Sequence, residues 1–246
     1  MICYLQSSFV FLAIISMALE RMSDAFPAGN VSLLRSSNDF TRMVGVTGLK
    51  GWHAVPGNAL SDWSAQDGTI LGNAQRDRLS YLVWNKPVSD FVMRFQYRML
   101  TPGNTGVEIR AKVDTTGKRP FEGYHADLGH VGIGPQVLGA WDFHFAVRHE
   151  PPCPRGTRLV IKENGSIEST QIPDAVSAKD ICNKGWNRVH LTANGNWLRF
   201  FINGKLASEV IDQQPEERLL RGFIGLQLHD KGMRVQFKDL EIKYLR

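Results

Sequence analysis

The strongest constraint on the fold is an alternation of side chains with a period of two residues. It is clearest from Phe91 to Leu100. There, one side carries Phe91, Met93, Phe95, Tyr97 and Met99, and the other carries Val92, Arg94, Gln96 and Arg98. Successive side chains of a β-strand point to opposite faces of the sheet. The pattern therefore predicts a strand with one face buried in a core.

Turn signals divide the rest of the chain into short strands. Asn194-Gly195 and Asn203-Gly204 separate the runs RVHLTA, NWLRFFI and KLASEVI. Asn-Gly accepts positive φ at both centres of a type I′ turn, so these runs are predicted to form an antiparallel meander. GFIGLQLHD and VQFKDLEIKYL supply two more strands. Because no βαβ alternation is present, we predict an all-β antiparallel sandwich or barrel in a single domain over residues 44–246.

The N-terminal region has the pattern of a targeting signal. Phe9 to Leu19 is an apolar run of eleven residues, shorter than the roughly 20 needed to span a bilayer. Ser23-Asp24-Ala25 offers a cleavage site with small residues at its ends, so residues 1–25 are predicted to be a signal peptide and residues 26–43 a lead-in segment. Because the first eight residues carry no Lys or Arg, a membrane anchor or a misassigned start codon is the alternative. We expect a secreted or periplasmic protein.

The cysteines fit an exported protein. Cys3 falls within the predicted signal, which leaves Cys153 and Cys182 as one possible disulfide pair. The alternative is two thiols. The spacings of a CxxC pair or a zinc finger are absent from the sequence.

The charge balance is mildly basic. The formal net charge is +5, from 29 Lys and Arg against 24 Asp and Glu. The excess is spread thinly along the sequence, without the clusters that typify nucleic-acid-binding chains. We therefore expect no nucleic-acid partner and, after signal removal, no stable membrane partner.

Four predicted strands carry polar groups opposite their apolar side chains. These groups are Glu108 and Arg110, His125 and Asp127, Asp142 and His144, and Gln227 and His229. If the four strands are neighbours in one sheet, these side chains form a single charged concave face. The alternative is the solvated outer face of an ordinary antiparallel sheet.

No cofactor is required by any motif in the sequence. G-x-S-x-G, H-E-x-x-H and P-loop patterns are absent. His125, Asp127, Glu108, His144 and His229 nevertheless mix oxygen and imidazole donors, which allows a divalent metal ion without identifying it.

Several motifs in order resemble those of the 3-keto-disaccharide hydrolase domain family. Asn104 to Arg110 is similar to its Asn-Ser-Gly-Ile-x-x-Arg signature, and Gly123 to Asp127 to its Gly-Tyr-Gln-Ala-Asp segment, with His125 in place of Gln. Gly225 to His229 resembles a later landmark, and the order holds over residues 48–245. The resemblance implies a concanavalin A-like jelly roll, two packed antiparallel sheets, acting on a carbohydrate or glycoside.

The resemblance also implies roles for the polar face. A base removes the acidified C2 proton of a 3-keto sugar and the C1 substituent leaves. Asp127 or His125 is the expected base, and Glu108 a second acid or base, or a metal ligand. The expected substrate-binding residues are Arg110, Asp142, His144, Gln227, His229 and, as a stacking surface, Trp141. Trp141 is alternatively a core residue, and the whole domain is alternatively a lectin-like glycan-binding module without catalysis.

Overall fold

The computed structural model describes residues 39–77 and 79–246. The predicted signal peptide, Cys3 and most of the predicted lead-in lie outside the described residues. From Phe40 onward the chain clusters as one unit. Among the residues described, no helix is both long enough and apolar enough to cross a membrane.

The described residues are almost entirely strands and loops. The strands are β1 (Thr41–Arg42), β2 (Trp52–Val55), β3 (Trp63–Gln66), β4 (Thr69–Asn73), β5 (Ser80–Trp84), β6 (Phe91–Met99), β7 (Asn104–Val113), β8 (Phe121–Gly129), β9 (Trp141–His144), β10 (Thr157–Ile161), β11 (Ile167–Gln171), β12 (Asn187–Asn194), β13 (Trp197–Ile202), β14 (Lys205–Asp212), β15 (Phe223–Leu228) and β16 (Arg234–Tyr244). Two short 3-10 helices cover Gly57–Asp62 and Ala178–Asp180.

The strands form two sheets. The ten-stranded sheet runs β11-β10-β14-β13-β12-β6-β16-β4-β3, with β1 also paired to β16, and the six-stranded sheet runs β2-β5-β15-β7-β8-β9. All these pairings are antiparallel except that of β10 with β14. The predicted all-β sandwich is confirmed.

The core lies between the sheets and is built by the alternation seen in the sequence. In β6, Phe91, Met93 and Tyr97 are fully buried, whereas Arg94 between them is exposed. Burying one such large apolar side chain contributes about 1.5–3 kcal/mol, so one-sided strands bind the two sheets together. The opposite face of such a strand points away from the core.

The predicted meander is confirmed, but only one of its two turns has the predicted geometry. Asn203 and Gly204 both have positive φ, 51° and 85°, as a type I′ turn requires. In the first hairpin Asn194 pairs with Trp197, so the central residues are Gly195 and Asn196. Of those two only Gly195 has positive φ, and this turn is therefore not type I′.

A β-bulge redirects Arg110. The pairing of β7 with β8 shifts between Ile109 and Lys112, and Arg110 has φ of +50°. The backbone of Arg110 passes so close to Gly222 that a Cβ there would overlap it. The prediction that Arg110 shares a face with Glu108 is wrong, because the extra residue inverts the alternation at this point.

The Arg110 side chain instead joins the two sheets. It is 1% exposed and donates to the carbonyl oxygens of Ser89 (2.8 Å) and Gly195 (2.6 Å) and to Asp90 Oδ1 (2.7 Å). Asp90 Oδ1 also accepts from the Gly195 amide at 3.0 Å. Arg110 is thus a structural link to the start of β6 and to the β12–β13 turn.

Two further expectations need correction. Thr41 and Arg42 pair with β16, and Met43 is 1% exposed, so the end of the predicted lead-in belongs to the sandwich. Cys153 and Cys182 are not joined by a disulfide. The Cys153 thiol is buried and contacts the Thr157 hydroxyl at 3.3 Å.

We predict that Arg110→Met lowers the free energy of unfolding by about 3 kcal/mol, because buried carbonyl oxygens lose their donor and Asp90 loses its partner. Urea unfolding measures this difference. Arg94→Met is the matched control: its ion pair with Glu241 is partly exposed, so the loss should stay below about 1 kcal/mol. Equal losses in the two variants would contradict the linking role of Arg110.

Candidate functional site

The four strands with polar faces are neighbours in the six-stranded sheet, in the order β15-β7-β8-β9. Register places Gly225 beside Glu108, Glu108 beside His125, and His125 beside Asp142. Glu108 is 0% and His125 1% exposed. A solvated outer face does not bury its carboxylates and imidazoles to this degree, so that alternative is wrong for this part of the sheet.

One carboxylate organises the cluster. Glu108 Oε2 lies 2.5 Å from His125 Nδ1, and Glu108 Oε1 lies 2.9 Å from His144 Nδ1. The far nitrogens face two more carboxylates: His125 Nε2 is 3.5 Å from Asp127, and His144 Nε2 is 3.4 Å from Asp142. The imidazole rings stack with centroids 4.6 Å apart. Asp127, His125, Glu108, His144 and Asp142 thus form a chain of alternating carboxylates and imidazoles, here called the carboxylate–imidazole chain.

A missing side chain in β7 makes room for His125. A Cβ at Gly106 would overlap Nε2 of His125 and would also approach the Ala126 carbonyl oxygen at 2.6 Å. The imidazole therefore lies over bare backbone, which directs its Nε2 toward Asp127. Glycine is therefore needed at position 106 because a side chain would not fit, and not because the backbone there has a positive φ.

A small apolar cluster shields Glu108, the buried centre of the carboxylate–imidazole chain. Tyr81, Val83, Ala111 and Phe121 lie on the same face as Glu108, and the Tyr81 and Phe121 rings meet edge to face at 5.5 Å. Tyr81 also receives a hydrogen bond from Gln227 Nε2 at 3.0 Å. Water is thereby kept from Glu108, which strengthens its interactions with the imidazoles.

The pKa values diverge along the carboxylate–imidazole chain. Burial alone would raise the pKa of Glu108, but the two imidazoles outweigh it and lower that pKa to about 2. Burial alone would lower the pKa of His144, but Glu108 and Asp142 raise it to about 9. Burial raises the pKa of Asp127 to about 6. At neutral pH the site therefore holds a fixed anion, an imidazolium and a carboxyl group near its midpoint.

Access to the site is from the β9 edge of the sheet. The Asp142 side chain is 36% exposed, against 10% for Asp127 and 8% for His144. Burial alone would raise the pKa of Asp142, but its hydrogen bond with His144 outweighs it and lowers that pKa. A ligand therefore meets Asp142, Asp127 and His144 before it meets Glu108.

Three predicted binding residues lie elsewhere or have other contacts. Trp141 is 0% exposed and packs against Phe200 in the core, so the stacking surface predicted from it is wrong. His229 follows the end of β15 and pairs with Asp230 at the surface, away from the carboxylate–imidazole chain. Gln227 lies on the predicted face, but it is 1% exposed and supports Tyr81.

Sequence reasoning missed one contributor to the site. Tyr81 covers the site from β5, although its run SYLVW indicates only a buried strand.

The donor set is suited to a divalent cation. One ligand atom from each of Glu108, His125 and His144 lies within 4.8 Å of the other two. Imidazole with carboxylate suits zinc, iron and related ions. The prediction of a possible metal therefore narrows to these three residues, without Asp127 or His229.

Comparison with known proteins supports the fold and identifies a family model. Residues 39–243 match the model of the 3-keto-alpha-glucoside-1,2-lyase-like domain. The chain is similar to two crystal structures of candidate glycosyl hydrolases from Parabacteroides distasonis ATCC 8503, each at 17% identity. The TM-scores are 0.58 and 0.57; the matches cover 85% of this chain in both cases, and 100% and 94% of the other chains. No curated protein matches the sequence.

We predict that Glu108→Gln lowers the pKa of His144 from about 9, because Asp142 alone then opposes the effect of burial. Titration of the His144 ring followed by NMR measures this pKa. Asp230→Asn, which removes a surface carboxylate beside His229, should leave it unchanged. An unaltered His144 titration in Glu108→Gln would show that Glu108 does not organise the chain.

Proposed function

This chain belongs to the 3-keto-alpha-glucoside-1,2-lyase-like domain family, and we propose that it is an exported carbohydrate-active enzyme that cleaves the glycosidic bond of 3-keto glycosides. The observation that carries the proposal is the placement of Asp127, with a pKa raised to about 6, beside a buried Glu108 that holds two imidazoles. The apolar run from Phe9 to Leu19 supports export.

The substrate determines which groups are needed. In a 3-keto sugar the C3 carbonyl acidifies the proton on C2, because the carbanion is stabilised as an enolate. The enzyme therefore needs a base near C2, a donor or cation at the ketone oxygen, and a proton for the departing oxygen. Two carboxylates set for direct displacement at C1 are not needed.

Asp127 is the proposed base. Its carboxylate takes the C2 proton, the C2–H electron pair becomes the C1=C2 double bond, and the bond from C1 to the glycosidic oxygen breaks. The proton held on Asp127 then passes to the departing oxygen, so charge and atoms balance. A pKa near 6 suits both steps, because the carboxyl group exchanges protons readily near neutral pH. Addition of water to C1=C2 completes hydrolysis.

His144 is the proposed partner of the ketone oxygen. Its pKa of about 9 keeps the imidazolium charged at neutral pH, and its side chain lies near the opening. A divalent cation held by Glu108, His125 and His144 would supply the same polarisation of the ketone.

Glu108 is a positioning residue in this proposal. It is fully buried, so its role is to orient the rings and stabilise their charge rather than to touch substrate. His125 connects Glu108 to Asp127 and fixes the base in place. Asp142, at the mouth of the site, is the proposed acceptor for a sugar hydroxyl.

We expect release of the aglycone from a chromogenic 3-keto glucoside, and a loss of about 10²–10⁴-fold in kcat for Asp127→Asn. Asp230→Asn is the matched control and should retain wild-type turnover. Parallel assays with and without EDTA test the cation. Absence of turnover in wild type together with measurable glycan binding would favour the lectin-like alternative, and turnover that survives both Asp127→Asn and His125→Ala would refute this site.

The pH dependence of kcat/KM should be bell-shaped in EDTA-treated protein. Activity requires ionised Asp127, so it rises as pH increases through about 6. It also requires protonated His144, so it falls as pH increases through about 9. In Glu108→Gln the alkaline limb should move to lower pH, because His144 loses its stabilising anion. A profile without an acidic limb near 6 would count against Asp127 as the base.

A further inference from the structure

A group of cations lies on the outer face of the ten-stranded sheet. On β13, β12, β6 and β16 the side chains next to core residues point away from the core. They include seven cations, here called the cationic face: Arg94, Arg98, Arg188, Arg199, Arg234, Lys238 and Lys243. The carboxylates on the same surface are Asp239 and Glu241 on β16 and, on the neighbouring β14, Glu209, which pairs in register with Arg199. The charge is spread thinly along the sequence, and the fold brings these particular cations together on one surface.

Strand pairing brings these cations into adjacent rows. Lys238 and Arg188 both pair with Gln96, from opposite sides. Arg94 lies between Glu241 and His190. Because neighbouring strands are about 4.8 Å apart, Arg188 and Lys238 lie two strand spacings from each other across Gln96.

Most of the cationic charge is uncompensated. Arg94 pairs with Glu241 at 2.7 Å. Within residues 39–77 and 79–246, five of the others, Arg98, Arg188, Arg199, Arg234 and Lys238, form no ion pair with a carboxylate; Lys243 is not counted among them. The pKa of His190, in the middle of this surface, is lowered by its burial and by the nearby charges of Arg199 and Arg94.

Aromatic rings hold several of the cations in place. Arg98 and Lys238 lie over Trp186 at 4.6 and 4.4 Å from the ring centroid, and Arg199 lies over Trp197 at 4.5 Å. Such stacking restricts a long flexible side chain before any ligand binds, which reduces the entropic cost of pairing it with an anion.

We propose that the cationic face binds an anionic polysaccharide, one bearing carboxylate or sulfate groups, and so holds the enzyme near polymeric material. The choice of a polysaccharide rests on the proposed function, whereas the charge of the face does not. An extended cationic surface suits a polymer whose charges project from its surface.

Two other polyanions fit this face less well. Single-stranded nucleic acid binds largely by stacking bases on aromatic rings, and here the cations of the chain itself already lie over those of Trp186 and Trp197. An anionic membrane is favoured by apolar side chains that enter the lipid, and of the large exposed apolar residues only Trp197 lies among the outward side chains of these strands.

The test compares two triple variants that lose the same charge. Arg188→Gln/Arg199→Gln/Lys238→Gln removes three cations from the face, and Lys50→Gln/Lys86→Gln/Lys231→Gln removes three exposed cations elsewhere. Binding is measured to polygalacturonate, dextran sulfate, neutral dextran, single-stranded oligothymidine and phosphatidylserine vesicles, by calorimetry at low and high NaCl. Thermal unfolding checks that each variant folds, and Arg188→Gln alone serves if the triple variant does not.

We expect wild type to bind polygalacturonate or dextran sulfate, with affinity falling as salt rises, and not neutral dextran. The face variant should lose about tenfold or more in affinity, with a weaker salt dependence, while the control variant keeps most of its affinity. Preference for carboxylated over sulfated polymer, or the reverse, identifies the anionic group.

Equal losses in the two triple variants, or no binding to either charged polysaccharide, would overturn the proposal. So would tighter binding to the oligonucleotide or the vesicles. Because binding is measured without turnover, salt-dependent binding that depends on the face supports this proposal even if the 3-keto glucoside is not cleaved. Turnover without such binding supports only the proposed function.

Discussion

Burial of the Glu108 carboxylate is the constraint on which the site depends. An ionised carboxylate without water needs compensating donors, and here the two imidazoles supply them. The same compensation keeps His144 charged and directs both rings outward, where each meets another carboxylate. The burial of Glu108 therefore determines both the orientation of the two imidazole rings and the charge of His144. The pKa differences along the carboxylate–imidazole chain follow from the balance between burial and charged neighbours: burial raises the pKa of Asp127, whereas the imidazoles lower that of Glu108.

The sandwich makes that burial possible. Because β7 and β8 lie inside the six-stranded sheet, Glu108 and His125 have neighbours on both sides. A second, smaller apolar cluster around Tyr81 and Phe121 then covers the outer face. The bulge at Arg110 contributes by moving a guanidinium from this face to the inter-sheet contact. A buried cation beside Glu108 would have competed with the imidazoles for its oxygens.

The two outer faces of the sandwich have opposite electrical character. One holds mostly buried carboxylates and imidazoles, which suits proton transfer on a small region of a sugar. The other holds exposed guanidinium and ammonium groups that rest on aromatic rings. If both proposals hold, one sheet performs chemistry and the other retains the polymer, without separate domains.

Alternation in the sequence was sufficient to predict the strands, the class of fold and the polar faces that carry Glu108, His125, Asp127, Asp142 and His144. In a regular strand, the direction of a side chain depends only on whether its position is odd or even. Tertiary structure decided where the alternation is interrupted and which strands come together. The bulge inverted Arg110, and β15 ended before His229 reached the site. Only packing showed that Trp141 belongs to the core, that Cys153 and Cys182 are not bonded, and that cations far apart in sequence share one surface. The alternation of side chains is a local property of the sequence, whereas burial, distance and charge density depend on which strands the fold brings together.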